Sequence, residues 1–397
     1  MANSLLNADM ITRRALLILH QKLTFIGNIN RQYDDSFAQE GAKIGSTLRI
    51  RLPNQFTTRT GAALSTQDVT ETNTSLTVDS QIGVDFTFSS KELTMNIDDY
   101  AARYLEPAMA QLAAKIEANV WTDCYKAVAN MVDADTVAPA LVHLNRARKR
   151  LTDSLAPVSD RAVLLSTDHT VKFVDALKGL FQDSTQIKEQ YREGMLGRIA
   201  GFDMYESTHV SDHTTGTAAK TTGYLSNGAT QSGATIAVDT GATSFLVGDV
   251  ITFAGVFDVH PETKVSTGVL KQFVITANSG TSATSLSISP AIVATGAKQN
   301  VSNTVADNSA VVKVGAGASE LLNSSMAFHK DAFTFATADL VVPKGVDMAS
   351  RQVYDGISLR FVRDYTISDD QFPARFDVLY GSKAIRPELA CRIHADG

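Results

Sequence analysis

His209 and His213 stand four residues apart, with Asp203 and Asp212 close by, and are the residues that first invite a chemical reading. Two imidazoles and a carboxylate could hold zinc if a third ligand fixed the geometry. The sequence specifies no such ligand. The pair also sits where a strand runs into a threonine-rich loop, not on a helix that would align the rings. The expectation is therefore no metal, and replacing both histidines by alanine is expected to leave folding nearly unchanged. Gly315-Ala-Gly317-Ala-Ser-Glu320 opens like a dinucleotide-binding turn. Glu320 stands where a third glycine is needed, and no helix with an acidic partner follows at the required distance. His260-Pro261-Glu262 reads as a turn, because no nucleophile is fixed beside it. There is no phosphate-binding loop of the Walker type and no Gly-x-Ser-x-Gly elbow. His143, His169, His329 and His394 occur singly. No catalytic residue, cofactor or metal is assigned.

The elements that could position such residues follow from periodicity. From Asp98 to Val132 apolar residues recur in steps of three and four, including Leu105, Met109, Leu112, Ile116, Val120 and Cys124. That spacing predicts one long amphipathic helix, a spine, kinked or beginning at Pro107. Glu117, Lys115 and Asp123 are placed on its wetted face. Residues 8–24 read as a second amphipathic helix, either docked on its own domain or serving as an arm to a partner. Residues 27–45 read as polar and irregular.

Alternation at Leu48, Ile50 and Leu52, and again from Leu76 to Phe88, predicts strands with one buried face. A polar connection, Asn54 to Ser75, joins them and is long enough to be functional. Past the spine, helices are expected at 138–155 and 170–180 around a strand at 162–166. The first of these helices carries Arg146, Arg148, Lys149 and Arg150, by default a solvated face. Between Thr214 and Glu320 only eleven of 107 residues are charged, and turn signals separate short β runs. This predicts an inserted all-β barrel or sandwich. Helical patterning is expected to resume at Met326, and closing strands at 358–366, 374–381 and 389–393.

Composition bounds the function. With 397 residues, 44% hydrophobic and 20% charged, the chain can build a large core, and the soft prior is two or three domains. A net charge of −6 argues against a protein whose main task is gripping phosphates. Two cysteines, Cys124 and Cys391, support neither a disulfide framework nor a cysteine zinc site, and the compartment reads as reducing. Arg13-Arg14 before a five-residue apolar run is too short for an export signal, and no run approaches a membrane span. Synthesis in the cytoplasm without processing is expected.

Ile199-Ala-Gly-Phe-Asp203, Gly248-Asp-Val-Ile-Thr-Phe-Ala-Gly-Val256, Arg386-Pro-Glu388 and Cys391-Arg-Ile393 come in an order that resembles the coat proteins of tailed bacteriophages typified by P22. The resemblance covers nearly the whole chain. It implies an α+β, HK97-like capsid fold with an inserted all-β barrel-like domain. The parts would be an N-terminal arm (1–40), an E-loop hairpin (41–97), a P-domain spine helix (98–134), A-domain and P-domain elements (135–213), the insertion (214–320), and a return with closing strands (321–397). It further implies a non-enzymatic subunit that assembles with itself as pentamers and hexamers around double-stranded DNA. A separate scaffolding protein and a portal would be partners, with no membrane, and the virion would be its location. The basic residues Arg13, Arg14 and Lys22 depart from the acidic terminal helix of the type. Other readings are a tail or decoration component, or an enzyme with a β accessory domain. Within the capsid reading, Arg49, Arg51 and Arg59 of the hairpin are expected to meet Glu106 or Glu117 of a neighbouring spine. Gly41, Gly45, Gly194, Gly197 and Gly201 are the expected hinges.

Overall fold

The computed structural model describes residues 8–33, 46–59, 61–64, 66–67, 73–89, 104–133, 139–177, 197–315 and 317–396. The chain is α+β and divides into two compact units.

The first unit comprises residues 1–51, 73–121 and 333–383. Its frame is a six-stranded sheet ordered Asn30–Tyr33, Phe333–Ala338, Gln371–Ala384, Ile357–Arg363 and Met348–Tyr354, with Ser80–Ser89 also paired to Gln371–Ala384. Helix α1 (Ala8–Lys22) packs Ile11, Ala15, Leu16 and Leu19 inward, next to the two strands Met348–Tyr354 and Ile357–Arg363. Asp9 accepts a hydrogen bond from Ser350 at 2.5 Å, so α1 is docked on its own unit. Asn30–Tyr33, expected to be irregular, forms a parallel strand along Phe333–Ala338. Its backbone finds partners at the sheet although its side chains carry no apolar alternation.

Helix α2 (Glu106–Ala127) is the spine. Its 22 residues make it about 33 Å long at 1.5 Å per residue. Pro107 falls in the first turn, where its missing N–H costs nothing. The helix ends earlier than periodicity predicts, because Met131–Asp133 becomes a strand.

The second unit comprises residues 52–72, 122–332 and 384–397. It contains a seven-stranded sheet built on Leu321–His329, which pairs with Ala390–Asp396 on one side and Arg161–Leu165 on the other. Helix α3 (Leu141–Asp153) buries Leu144, Ala147 and Leu151, and its entry is fixed by His143, whose Nδ1 accepts the Ala140 N–H at 3.0 Å. Helix α4 (Thr167–Leu177) starts at Ser166, whose hydroxyl accepts the His169 N–H. Leu321–His329 is a strand, not the helix expected from Met326 onward. Its last six residues are all buried, so period-two alternation disappears.

A closed six-stranded barrel occupies Thr221–Ser226, Gly233–Asp239, Val250–Val259, Ser266–Ile275, Ser285–Ile292 and Ala310–Lys313. Its interior is filled by Phe245, Phe253, Phe273, Ile236, Ile251 and Ile275. The chain leaves the sheet at His213–Thr214 and returns at Leu321, and Thr214 pairs with Leu321 directly. The barrel is thus an excursion between two adjoining sheet positions.

Candidate assembly surfaces

Strands Ser46–Arg51 and Asn73–Val78 form a two-stranded ladder running from the Ser46–Val78 pair to the Arg51–Asn73 pair. Asn73, Thr74 and Ser75 therefore belong to the ladder, and the connection proper is 52–72, shorter than the sequence indicates. The root of the ladder is fastened within its own unit. Leu76 and Val78 are buried with Ala336, Ala338 and Leu379, and Lys383 donates to the Ser75 carbonyl at 2.6 Å. Gly381 is required there, since a Cβ would lie 2.2 Å from the Thr77 carbonyl oxygen. The buried face that the alternation predicts is thus packed on the ladder's own core. Ser80–Ser89, expected to be part of the same hairpin, belongs to the six-stranded sheet.

Arg49 and Arg51 are exposed on this ladder, and Arg59 is exposed in the connection, where its guanidinium donates to the Gly61 carbonyl. The connection carries its own cross-tie, with Thr57 N–H donating to Gln67 at 2.8 Å and the Gln67 amide donating back to the Thr57 carbonyl at 2.5 Å. Phe56 is 60% exposed and Leu64 83% exposed. These two apolar side chains are surface residues that charge-based reasoning passes over. Their signal was two large apolar residues in an otherwise polar, threonine-rich run.

Glu106 is exposed in the first turn of α2. Glu117 is not a surface partner: it is only 1% exposed, and its Oε1 accepts the Phe25 N–H at 2.7 Å and the Ile26 N–H at 3.4 Å. The expected contact from a neighbour's arginine to Glu117 is therefore withdrawn. Trp121 and Phe25, in edge-to-face contact at 5.2 Å, close the same side of the helix and take Glu117 out of water. Burial pushes the Glu117 carboxyl up to about 7, against the backbone hydrogen bonds that pull it down.

Of the expected hinges, Gly41, Gly45 and Gly194 lie outside the described residues. Gly197 has φ +60°, and Gly201 has φ +84° beside Ala200 at +51°. With Ile199 paired to Phe202, Ala200 and Gly201 form a two-residue turn with both φ angles positive, the type I′ geometry. That turn accounts for the glycine without any bending.

The histidines resolve individually. His213 is buried, and its Nε2 lies 3.1 Å from Asp249, whose other oxygen accepts the Gly216 and Leu246 N–H groups. His213 thus ties the sheet to the foot of the barrel, so its removal would not be silent, contrary to the sequence expectation. His260 Nδ1 accepts the Glu262 and Thr263 N–H groups, forming a turn. Glu320 accepts the Gly317 N–H and sits 3.9 Å from buried Lys313, so its carboxylate is engaged within its own loop. Arg392 stacks over Tyr125 at 4.5 Å and donates to the Gly248 carbonyl at 2.7 Å. Gln272 exchanges two hydrogen bonds with the Met131 backbone, at 2.8 and 3.0 Å. Together these contacts clamp the barrel foot to the sheet. Cys124 and Cys391 are buried and free, and burial pushes both thiols up, Cys391 to about 12. Among the described residues, no group of three or more His, Cys, Asp or Glu is placed to hold a metal. No helix among them is long and apolar enough to cross a membrane.

Comparison with known proteins gives a family and a set of similar shapes. No curated protein matches the sequence. A structure from Mycobacterium phage Che8 is similar over 94% of this chain and 90% of its own, at 12% identity and a TM-score of 0.48. The mature capsid of bacteriophage PhiM1 is similar over 94% and 87%, at 12% identity and a TM-score of 0.45. The capsid of Ralstonia phage GP4 is similar over 93% and 88%, at 8% identity and a TM-score of 0.45. The family model described as P22 coat protein, gene protein 5, matches residues 21–392. With so much of its length matched, the chain belongs to the P22 coat protein family.

Proposed function

We propose that this chain is the major capsid protein of a tailed bacteriophage, assembling with itself into the icosahedral shell around double-stranded DNA. The family match over residues 21–392 carries the reading. Within it, the arrangement is HK97-like: the ladder and its 52–72 connection act as the E-loop, α2 as the P-domain spine, and the barrel as the insertion. Pentamers and hexamers are built from one chain, with a scaffolding protein and a portal as separate partners. Assembly takes place in the host cytoplasm, and the protein does no turnover chemistry. Two features of the chain support the E-loop role. The root of the ladder is anchored at home, whereas Phe56 and Leu64 are left in water, as a contact awaiting a neighbour would leave them. Arg49, Arg51 and Arg59 supply the charged part of that contact, with Glu106 of the neighbouring spine the remaining carboxylate candidate.

Electron microscopy of the purified, overexpressed protein tests this. Closed shells, or curved sheets of regular subunits, are expected. A protein that stays dispersed and monomeric at every concentration overturns the reading.

A further inference from the structure

Helix α3 packs four cations into five positions, Arg146, Arg148, Lys149 and Arg150, against a single carboxylate, Asp153. Its formal charge is +3 on a chain whose total is −6. With Leu144, Ala147 and Leu151 turned to the core, Arg146, Arg148 and Lys149 are exposed and Arg150 is half-buried. At 100° per residue the four fan across the whole outward half of the helix. Lys149 is paired to Asp153 at 2.6 Å. Among the described residues, no carboxylate lies within ion-pair distance of Arg146, Arg148 or Arg150. Below them Arg161 is buried and donates to the Ala156 and Pro157 carbonyls, so it adds positive charge to the site.

Such a cluster weakens the isolated subunit. Arg146 and Arg150, one turn apart, are like charges that repel across a helix turn. An anion from outside the chain would relieve that repulsion. Exposed carboxylates of a second copy, such as Glu106 or Glu262, are the competing anions, and the test below separates them from phosphate. Three of the four cations are arginines, whose planar forks match phosphate oxygens two at a time. No aromatic side chain lies among the exposed positions of α3, so there is nothing to stack on bases.

We propose that the outward face of α3 binds the phosphodiester backbone of duplex DNA without sequence preference, and so marks the genome-facing side of the subunit. The proposal rests on the shell reading for the source of the DNA. It qualifies the repulsion expected from net charge: the chain as a whole repels phosphate, while one helix holds it.

The test is fluorescence anisotropy of a labelled random-sequence duplex with unassembled full-length protein, titrated with salt. Three phosphate contacts predict a slope of log K on log salt near −2.7, or about 40-fold weaker binding between 50 and 200 mM. Arg146→Gln, Arg148→Gln and Arg150→Gln combined should lose at least about tenfold in affinity and flatten the slope. Arg13→Gln with Arg14→Gln, exposed on α1, should bind as wild type. The proposal is overturned if wild type does not bind at 50 mM salt, or if the α3 triple variant binds equally well. It is also overturned if that variant keeps DNA binding but stops self-associating in sedimentation, which would make α3 a subunit contact. Shells seen by microscopy without DNA binding would sink this inference alone, and absence of shells would sink the capsid reading whatever α3 binds.

Discussion

A carboxyl group shut away from water keeps its proton, and Glu117 does so up to about pH 7. In the unfolded chain the same group titrates near 4.5, so between these values the native state binds more protons than the unfolded one. The contribution of Glu117 to stability therefore falls as pH rises from 4.5 to 7, by on the order of 3 kcal/mol, while buried His169, held down near 4 by desolvation, works in the opposite direction. Glu117→Gln keeps an acceptor for the Phe25 N–H and removes the titration. Its thermal melts should lack that decline, and parallel pH curves for variant and wild type would refute the account. Asp377 behaves oppositely. It is buried, which alone would raise it, but Arg375 and Arg360 at 2.7 and 2.6 Å hold it below the usual carboxylate range. Its contribution is present at neutral pH and is lost as pH falls through its lowered value. His213→Ala should cost about 1–3 kcal/mol in urea denaturation, by leaving buried Asp249 short of a partner, whereas His209→Ala should cost little. A zinc-dependent loss in place of a zinc-independent one would restore the metal reading.

At the scale of elements, the ladder and its connection separate fold from assembly. Replacing 53–72 by a short glycine-containing turn keeps every ladder pair from Ser46–Val78 to Arg51–Asn73. The variant is expected to melt within a few degrees of wild type in calorimetry yet to form no closed shells; normal particles would dismiss the clasp. Gly83→Ala tests the neighbouring strand. A Cβ there would sit 2.6 Å from both the Asp377 carboxylate and the Phe376 carbonyl, so a loss of about 1–3 kcal/mol is expected. Which elements could be read from sequence depended on what each faces. Strands half in water, such as Asn73–Val78 and Ser80–Ser89, showed themselves by alternation, and the spine by its stripe. Phe333–Ala338 is buried at every position and Asn30–Tyr33 is wholly polar, so neither carries a period. Thr221–Ser226 opens on Thr-Thr-Gly, which carries no strand signal in the sequence. Glu117 was misplaced because the buried arc of α2 takes in Ala113, Ile116, Val120 and Trp121, wider than one stripe, and a charge inside it looks solvated until its partners are seen.

At the scale of the whole molecule, the barrel has a complete core of its own. Expressed alone, residues 214–320 should give a dispersed β-type NMR spectrum and a cooperative melt, because the ring of six strands is closed without help. The fragment should melt below the full chain, since it gives up the Asp249–His213, Gln272–Met131 and Gly248–Arg392 contacts. A disordered spectrum would show that the foot contacts hold the barrel together. The direct pairing of Thr214 with Leu321 has a further consequence in polymer terms. For an unfolded chain, joining those two residues means closing a loop of more than a hundred residues, and the contacts Leu321–His329 makes with Arg161–Leu165 close a longer loop that contains it. Once the barrel folds, Thr221 and Val312 lie side by side and the effective loop shrinks to about sixteen residues. At (3/2)RT ln n, that change is worth about 2 kcal/mol of closure entropy. The insertion therefore acts as a splice in the folding chain, making a long-range sheet nearly local. Mutations that delay the barrel should slow the sheet in stopped-flow refolding even where they leave its native contacts intact.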